Sequence, residues 1–307
     1  MGWIAVVFAG QGAQHTGMGK ELYDASPAAR SVFKMAERIR PGTLRQCFDG
    51  TKRELSETVN TQPCVFAVDL ACAAALREAG VKANGAAGFS LGEIAGLAFT
   101  GILSEEDAFR LVCRRAELME QCSRNRPGSM AAVLGLENEK AEDVCKKAGV
   151  WPVNYNCPGQ LVAAGGTDAI SVLPGFSAEA GGKAVRLAVS GAFHSPLMSD
   201  ASEGLAKELA QYTLRTSEIP LYSNVTARPY GTGEAELIAR QAKSPVLWQK
   251  TIENMISDGF DLFIEAGPGT TLCGLIHRIS TKVAAFGVEN PDSLEEAVRM
   301  ISEGKHA

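Results

Sequence analysis

The hydrophobic pattern opens with Ile4 to Phe8, an unbroken apolar run that ends in AGQGAQ. Such a run predicts a strand buried on both faces, followed by a turn with backbone amides to spare. Gln62 to Ala79 is apolar at helical density and predicts a buried helix. Ala86 to Phe89 predicts a short strand, then comes Ser90, then an apolar helix from Leu91 to Thr100. Ser104-Glu105-Glu106-Asp107 has the form of a capping box and opens a helix running to about Cys122.

From Ser129 the pattern changes. Met130–Leu134 predicts a strand and Asn138–Ala148 a helix with charged faces. Val153–Asn156 and Leu161–Ala164 predict strands joined through CPGQ, Asp168–Ala180 a helix, and Lys183–Ala188 a strand. The order βαββαβ is that of a split-βαβ, ferredoxin-like unit. The earlier pattern then resumes: a helix at Pro196–Tyr212, a strand at Pro220–Asn224, and helices at Leu237–Ala242 and Gln249–Asp258. A strand at Asp261–Glu265, a helix at Thr270–Arg278 and a last helix opening at Asp292 complete it. Strands alternating with helices predict an α/β fold with a parallel sheet, formed by residues 1–128 and 191–307. Residues 129–190 form an inserted small subdomain.

Composition narrows the function classes. The chain has 307 residues, 46% of them hydrophobic and 21% charged, an ordinary globular balance. A net charge of −5 gives no overall basic field for nucleic acid. The eight cysteines include no CxxC pair and read as reduced cytosolic thiols. The four histidines show no ligand spacing, so no metal is expected. The first residues read as a buried strand rather than a signal peptide, and no apolar run approaches the ~20 residues of a membrane helix. The expectation is a cytoplasmic protein with no membrane segment.

Gly88-Phe89-Ser90-Leu91-Gly92 is a G-x-S-x-G sequence between a predicted strand and a predicted helix. Glycines on either side let strand and helix approach closely and hold the serine on a tight turn, its hydroxyl exposed. The helix N-terminus offers amides and a positive dipole end to a developing oxyanion. A serine nucleophile needs a base. His194, in Ser190-Gly191-Ala192-Phe193-His194-Ser195-Pro196, follows a strand end and precedes a position where Ser195 can cap a helix. A helix N-terminus disfavours imidazolium and would keep His194 neutral. His15 is the rival base.

Arg115 falls on the apolar stripe Ala108, Leu111, Val112, Met119 of its helix. A buried guanidinium demands an anion. One reading is a structural salt bridge, with Glu93 or Glu117 as partner; the other is a fork for a substrate carboxylate. Gln11, in Gly10-Gln11-Gly12, follows the first strand, and its amide can join that of Leu91 as a second oxyanion donor. The glycine-rich loop lacks the lysine pattern of a phosphate loop.

These segments together resemble the malonyl-CoA:acyl carrier protein transacylases and the related acyltransferase domains of polyketide synthases. FAGQGAQ (8–14), TQP (61–63), GFSLGE (88–93), RAELM (115–119), GAFHSPLM (191–198), YSNVTA (222–227) and EAGPG (265–269) occur in the family's order across nearly the whole chain. The resemblance implies a hydrolase-like α/β core with a ferredoxin-like insertion and a cleft between them. It implies Ser90 as nucleophile, His194 as base, Arg115 as the clamp on a malonyl carboxylate, and the amides of Gln11 and Leu91 as the oxyanion hole. It matches Gln241 to the position whose main-chain carbonyl orients the histidine. An acyl carrier protein and a coenzyme A thioester are the implied partners of a monomeric enzyme without a cofactor. Two positions stand out. Phe89 occupies the place of a usual histidine. Phe193, in Gly-Ala-Phe-His, resembles the malonyl-selective version and would limit room for an α-methyl group.

Overall fold

The computed structural model describes residues 2–189 and 191–303. Ser190, in the stretch leading to His194, and His306 lie outside the described residues. Nine strands form two sheets among the described residues: β1 (Trp3–Phe8), β2 (Gly85–Gly88), β3 (Ser129–Leu134), β4 (Trp151–Cys157), β5 (Gln160–Gly165), β6 (Lys183–Arg186), β7 (Leu221–Tyr222), β8 (Phe260–Ala266) and β9 (Ala284–Val288). The first sheet is parallel, in the order β7-β2-β1-β8-β9. The second is antiparallel, in the order β4-β5-β3-β6.

β1 is central, which is why it carries no polar side chain from Ile4 to Phe8. Val6 and Phe8 pack into the core around the helix Thr58–Glu78. Ala5 and Val7 pack on the other face with Trp248, Ile252 and Phe263. Phe8 is in register with Gly88 on one side and Ala266 on the other. The carboxyl ends of β1, β2 and β8 therefore finish level, and the loops that follow them converge. Crevices outside such strand ends are where α/β sheets hold ligands.

One helix, Thr58–Glu78, has to be distinguished from a membrane span. It has 21 residues and is apolar enough, by length and composition, to cross a membrane. In the fold 89% of its most apolar window is buried inside the protein, so it is a core helix covered by its neighbours. Pro63 sits inside it and supplies no amide for the Val59 carbonyl. Arg40 Nη2 donates to that carbonyl instead, at 3.3 Å.

The small sheet follows the βαββαβ order, with helices Asn138–Ala148 and Thr167–Glu179 on one face. Alternation sorts its strands. Ala131, Val133, Leu161 and Ala163 face those helices, while Met130, Ala132, Val162 and Ala164 join the main core. Val246 N donates to Val153 O at 2.8 Å and Tyr155 N to Val246 O at 2.9 Å, tying the small sheet to the parent unit.

Other boundaries moved for local reasons. The helix expected from Pro196 splits into a 3-10 turn, Pro196–Met198, and a helix, Ser199–Leu209. The strand expected over Pro220–Asn224 keeps only β7, because Asn224 turns its side chain to the Ser90 loop. Helices Lys20–Ala25, Pro27–Ile39, Thr43–Asp49 and Lys52–Leu55, and the half-buried β9, had no counterpart in the pattern reading.

Candidate active site

Ser90 follows β2 directly and holds φ at 55°, in the left-handed region that non-glycine residues rarely adopt. The turn is as tight as the motif requires. A Cβ on Gly88 would lie 2.0 Å from the Gly92 carbonyl carbon, and one on Gly92 would lie 2.3 Å from the Phe8 oxygen. Asn224 braces the loop: Ser90 N donates to its Oδ1 at 2.7 Å, and its Nδ2 donates to Gly88 O at 2.6 Å. Past Ser90, Leu91 begins the helix Gly92–Phe99.

His194 is buried, and its Nε2 lies 2.7 Å from Ser90 Oγ. Its Nδ1 lies 3.0 Å from the Gln241 main-chain oxygen. A carbonyl only accepts, so Nδ1 carries the ring proton and Nε2 presents its lone pair to the serine hydroxyl. His194 also has φ of 60°. Burial, and then the Arg115 cation, push its pKa down to about 4. A following helix N-terminus was the expected source of that neutrality. The following element is only a three-residue turn, capped by Ser195, and desolvation is the larger cause. His15, the rival base, is half exposed and pairs through Nε2 with Glu289.

Arg115 is 1% exposed and makes no ion pair among the described residues. Its Nη1 donates to Gln62 Oε1 at 2.7 Å, and its Nη2 to Gln241 Oε1 at 2.9 Å and to Ser90 Oγ at 3.2 Å. Neither carboxylate proposed for a structural salt bridge reaches it. Glu117 pairs with Arg114 at 2.7 Å on the outer face of the helix. Glu93 stands behind Gln241. Burial pushes Arg115 down to about 10, which leaves it charged at neutral pH.

Gln241 joins these parts. Beyond its contacts to His194 and Arg115, its Nε2 donates to Ser90 O at 2.6 Å and to Glu93 Oε2 at 3.0 Å. Glu93 is buried and also accepts from Asn224 N at 3.2 Å and from the Tyr230 hydroxyl. Burial raises its pKa to about 7, against the pull of those hydrogen bonds and of Arg115. Roles for Gln62, Asn224 and Tyr230, and a link from Glu93 to Gln241, were missing from the sequence reading. Gln62 could have been noticed as a buried amide on a mostly apolar helix, which also carries Asn60 and Asp69.

Gln11, Ser90, Phe193 and His194 line a cavity of about 80 Å³ together with Met119 and Met130. A second cavity of about 220 Å³ shares Gln11, Phe89, Asn154 and Leu187 with it and runs between the sheets past Gly10–Ala13 and Gln160. Phe89 stands at the junction, edge-on to Trp248 with ring centroids 5.5 Å apart. Among the described residues, neither the Gln11 nor the Leu91 amide donates to a protein acceptor. The chamber is lined by the alcohol, the neutral base and Gln11, while the Leu91 amide follows Ser90 in the chain and the buried Arg115 cation reaches Ser90 Oγ.

A family described as the acyl transferase domain matches residues 5–294. The chain belongs to that acyl transferase family. The malonyl CoA-acyl carrier protein transacylase of Bacillus subtilis (strain 168) is 36% identical over 313 aligned positions, covering 99% of this chain and 98% of that protein. The crystal structure of the Clostridium perfringens malonyl CoA-acyl carrier protein transacylase superimposes with a TM-score of 0.95 at 34% identity, over 99% of this chain and 98% of that one. A malonyl-transacylase solved in complex with its type II PKS acyl-carrier protein gives 0.93 at 33%, over 97% and 99%. The acyl transferase therefore shares both sequence and fold with these enzymes along nearly its whole length.

Proposed function

We propose that this acyl transferase moves a malonyl group from coenzyme A to the phosphopantetheine thiol of an acyl carrier protein, for fatty acid or polyketide synthesis. One observation carries the reading: Arg115 Nη2 and His194 Nε2 both lie within hydrogen-bond distance of Ser90 Oγ, at 3.2 and 2.7 Å. A base activates the alcohol, and a guanidinium waits where the far end of a short dicarboxylic acyl group would reach. The names of the relatives agree with it.

In the first half-reaction Ser90 Oγ attacks the thioester carbon and its proton passes to His194 Nε2. The oxyanion is received by the amides of Gln11 and Leu91, the latter at a helix N-terminus. The carbon–sulfur bond breaks, and coenzyme A leaves with the proton from His194. In the second, His194 takes the carrier thiol's proton, the sulfur attacks the malonyl ester, and Ser90 Oγ departs reprotonated. Nucleophile, base and clamp are all side chains of this chain, so the reading requires no metal or redox cofactor. The Gln241 carbonyl orients the imidazole in the place where hydrolases use an acid. A hydrolase would orient its histidine with an acid lying between serine and histidine in the chain, but Asp168 and Glu179 are exposed on the small-sheet helix.

In the same reading residues 1–128 and 191–307 form a hydrolase-like core and residues 129–190 a ferredoxin-like subdomain, supported by the βαββαβ order and the strand order of the small sheet. Phe193 restricts the chamber against an α-methyl group. The enzyme works as a cytoplasmic monomer. The test is to measure free malonate and malonyl-carrier together at saturating carrier. Transfer should far outrun malonate release; release as fast as transfer would make the protein a hydrolase.

A further inference from the structure

We propose that Glu93 is the resident counter-charge of Arg115, held one amide away so that the guanidinium keeps an open edge for the incoming carboxylate. The inference rests on the malonyl reading above and deepens it.

A buried cation without a counter-charge is costly, and one with a carboxylate directly on it has no fork left for substrate. The site avoids both. Gln241 lies between the charges, its Oε1 2.9 Å from Arg115 Nη2 and its Nε2 3.0 Å from Glu93 Oε2. The amide dipole is aligned with its negative end on the cation and its positive end on the carboxylate. Arg115 is 1% exposed and Glu93 is 1% exposed, so water screens neither. The groups facing Glu93 are Gln241, the Asn224 amide, the Tyr230 hydroxyl and, through space, Arg115.

The arrangement has a signed consequence. Above pH 7, where Glu93 is ionised and Arg115 still charged, the two sum to zero in the free enzyme. A malonyl group adds a second carboxylate to one guanidinium, so Glu93 repels the malonyl group while it stabilises the empty clamp. Acetyl carries no charge and is indifferent. Glu93 thus moderates the hold on malonyl and keeps the loaded site from becoming a trap.

Glu93→Gln isolates the charge. The new side chain's oxygen can still accept from Gln241 and Asn224, and its amide can donate to the Tyr230 oxygen. Binding of malonyl-CoA and acetyl-CoA should be measured by calorimetry at pH 8 in Ser90→Ala protein, with and without Glu93→Gln. We expect malonyl-CoA to bind about 3- to 30-fold tighter in the double variant, with acetyl-CoA within about twofold. Malonyl-CoA should raise the melting temperature of the double variant more than acetyl-CoA does. Unchanged or weaker malonyl-CoA binding overturns the proposal, since Glu93 would then be neutral or would merely position the clamp. An equal change for both ligands overturns it as a structural effect. If Glu93→Gln does not fold, Tyr230→Phe at pH 7 removes one donor from the carboxylate and favours its neutral form. It should tighten malonyl-CoA selectively and by less; no selective change counts against the proposal. The Ser90→Ala parent supplies the separate control. If it shows no preference for malonyl-CoA over acetyl-CoA that Arg115→Ala removes, the malonyl reading fails, and this inference with it.

Discussion

Ser90 and His194 meet at 2.7 Å, and each holds the left-handed backbone conformation, with φ of 55° and 60°. Both partners of the reactive hydrogen bond therefore sit where an L residue is strained, which the packing around them enforces. A strained nucleophile should yield stability when its Cβ is removed. Ser90→Gly should melt above Ser90→Ala by an amount corresponding to about 1 kcal/mol, although neither transfers malonyl. Equal melting temperatures would mean that the turn carries no strain.

His194 is pushed down to about 4 from an ordinary 6.5, so it stays neutral and competent through mildly acidic conditions. Acylation rates at saturating malonyl-CoA should show no histidine limb near pH 6.5, only a fall as pH approaches 4. His194→Ala should reduce acylation by about 10²- to 10⁴-fold. For stability the sign follows from the depressed folded value. The contribution of neutral His194 is present above pH 6.5 and is lost as pH falls towards 4. Glu93, raised to about 7, runs the other way: its contribution is present below 4.5 and is lost as pH rises through 7. The two should nearly offset between pH 5 and 6.5. Removing Glu93's titration with Glu93→Gln should unmask a melting temperature that climbs with pH in that window.

Arg115 should separate substrates. Truncating one partner of a buried charged hydrogen bond costs about 2–5 kcal/mol, or about 30- to 4000-fold. Arg115→Ala should lose that much kcat/KM with malonyl-CoA and little with acetyl-CoA. Arg115→Lys should recover only part, because a point charge replaces a planar fork. A proportional loss on both thioesters, with a lowered melting temperature, would make Arg115 a structural residue.

Phe193 should set acyl size. It is buried and lines the chamber of about 80 Å³ beside His194. Phe193→Ala should raise the ratio of methylmalonyl to malonyl transfer by about 10-fold or more, within the range that a methyl-sized discrimination commands. An unchanged ratio in competition assays would move the limit to another wall, with Met119 and Met130 next in line.

The sequence carried the site further than it carried its supports. The Ser90 turn was legible because two glycines and a serine at fixed spacing fit few other geometries. Arg115 was legible as a charge on an apolar stripe, but its partners were not. Those are the amides Gln62 and Gln241 from distant segments, and an amide at 53 or 126 positions' separation leaves no local pattern. Asn224 was hidden for the same reason, and its bond to Ser90 also shortened the expected strand to β7. In the fold, β1 and the small sheet were legible because burial on two faces or one sets the period of their side chains. The helix Pro27–Ile39 had a readable Ser26 cap and the stripe Ala29, Val32, Phe33, Ala36; its neighbours are too short for periodicity to declare them.

The central claim is a malonyl ester on Ser90, and peptide mass spectrometry after incubation with malonyl-CoA alone tests it most directly. The account predicts one malonyl group on the peptide carrying Ser90, absent from Ser90→Ala and discharged on addition of a carrier protein bearing its phosphopantetheine thiol. A malonyl group that persists on another residue of Ser90→Ala and still passes to the carrier would contradict it.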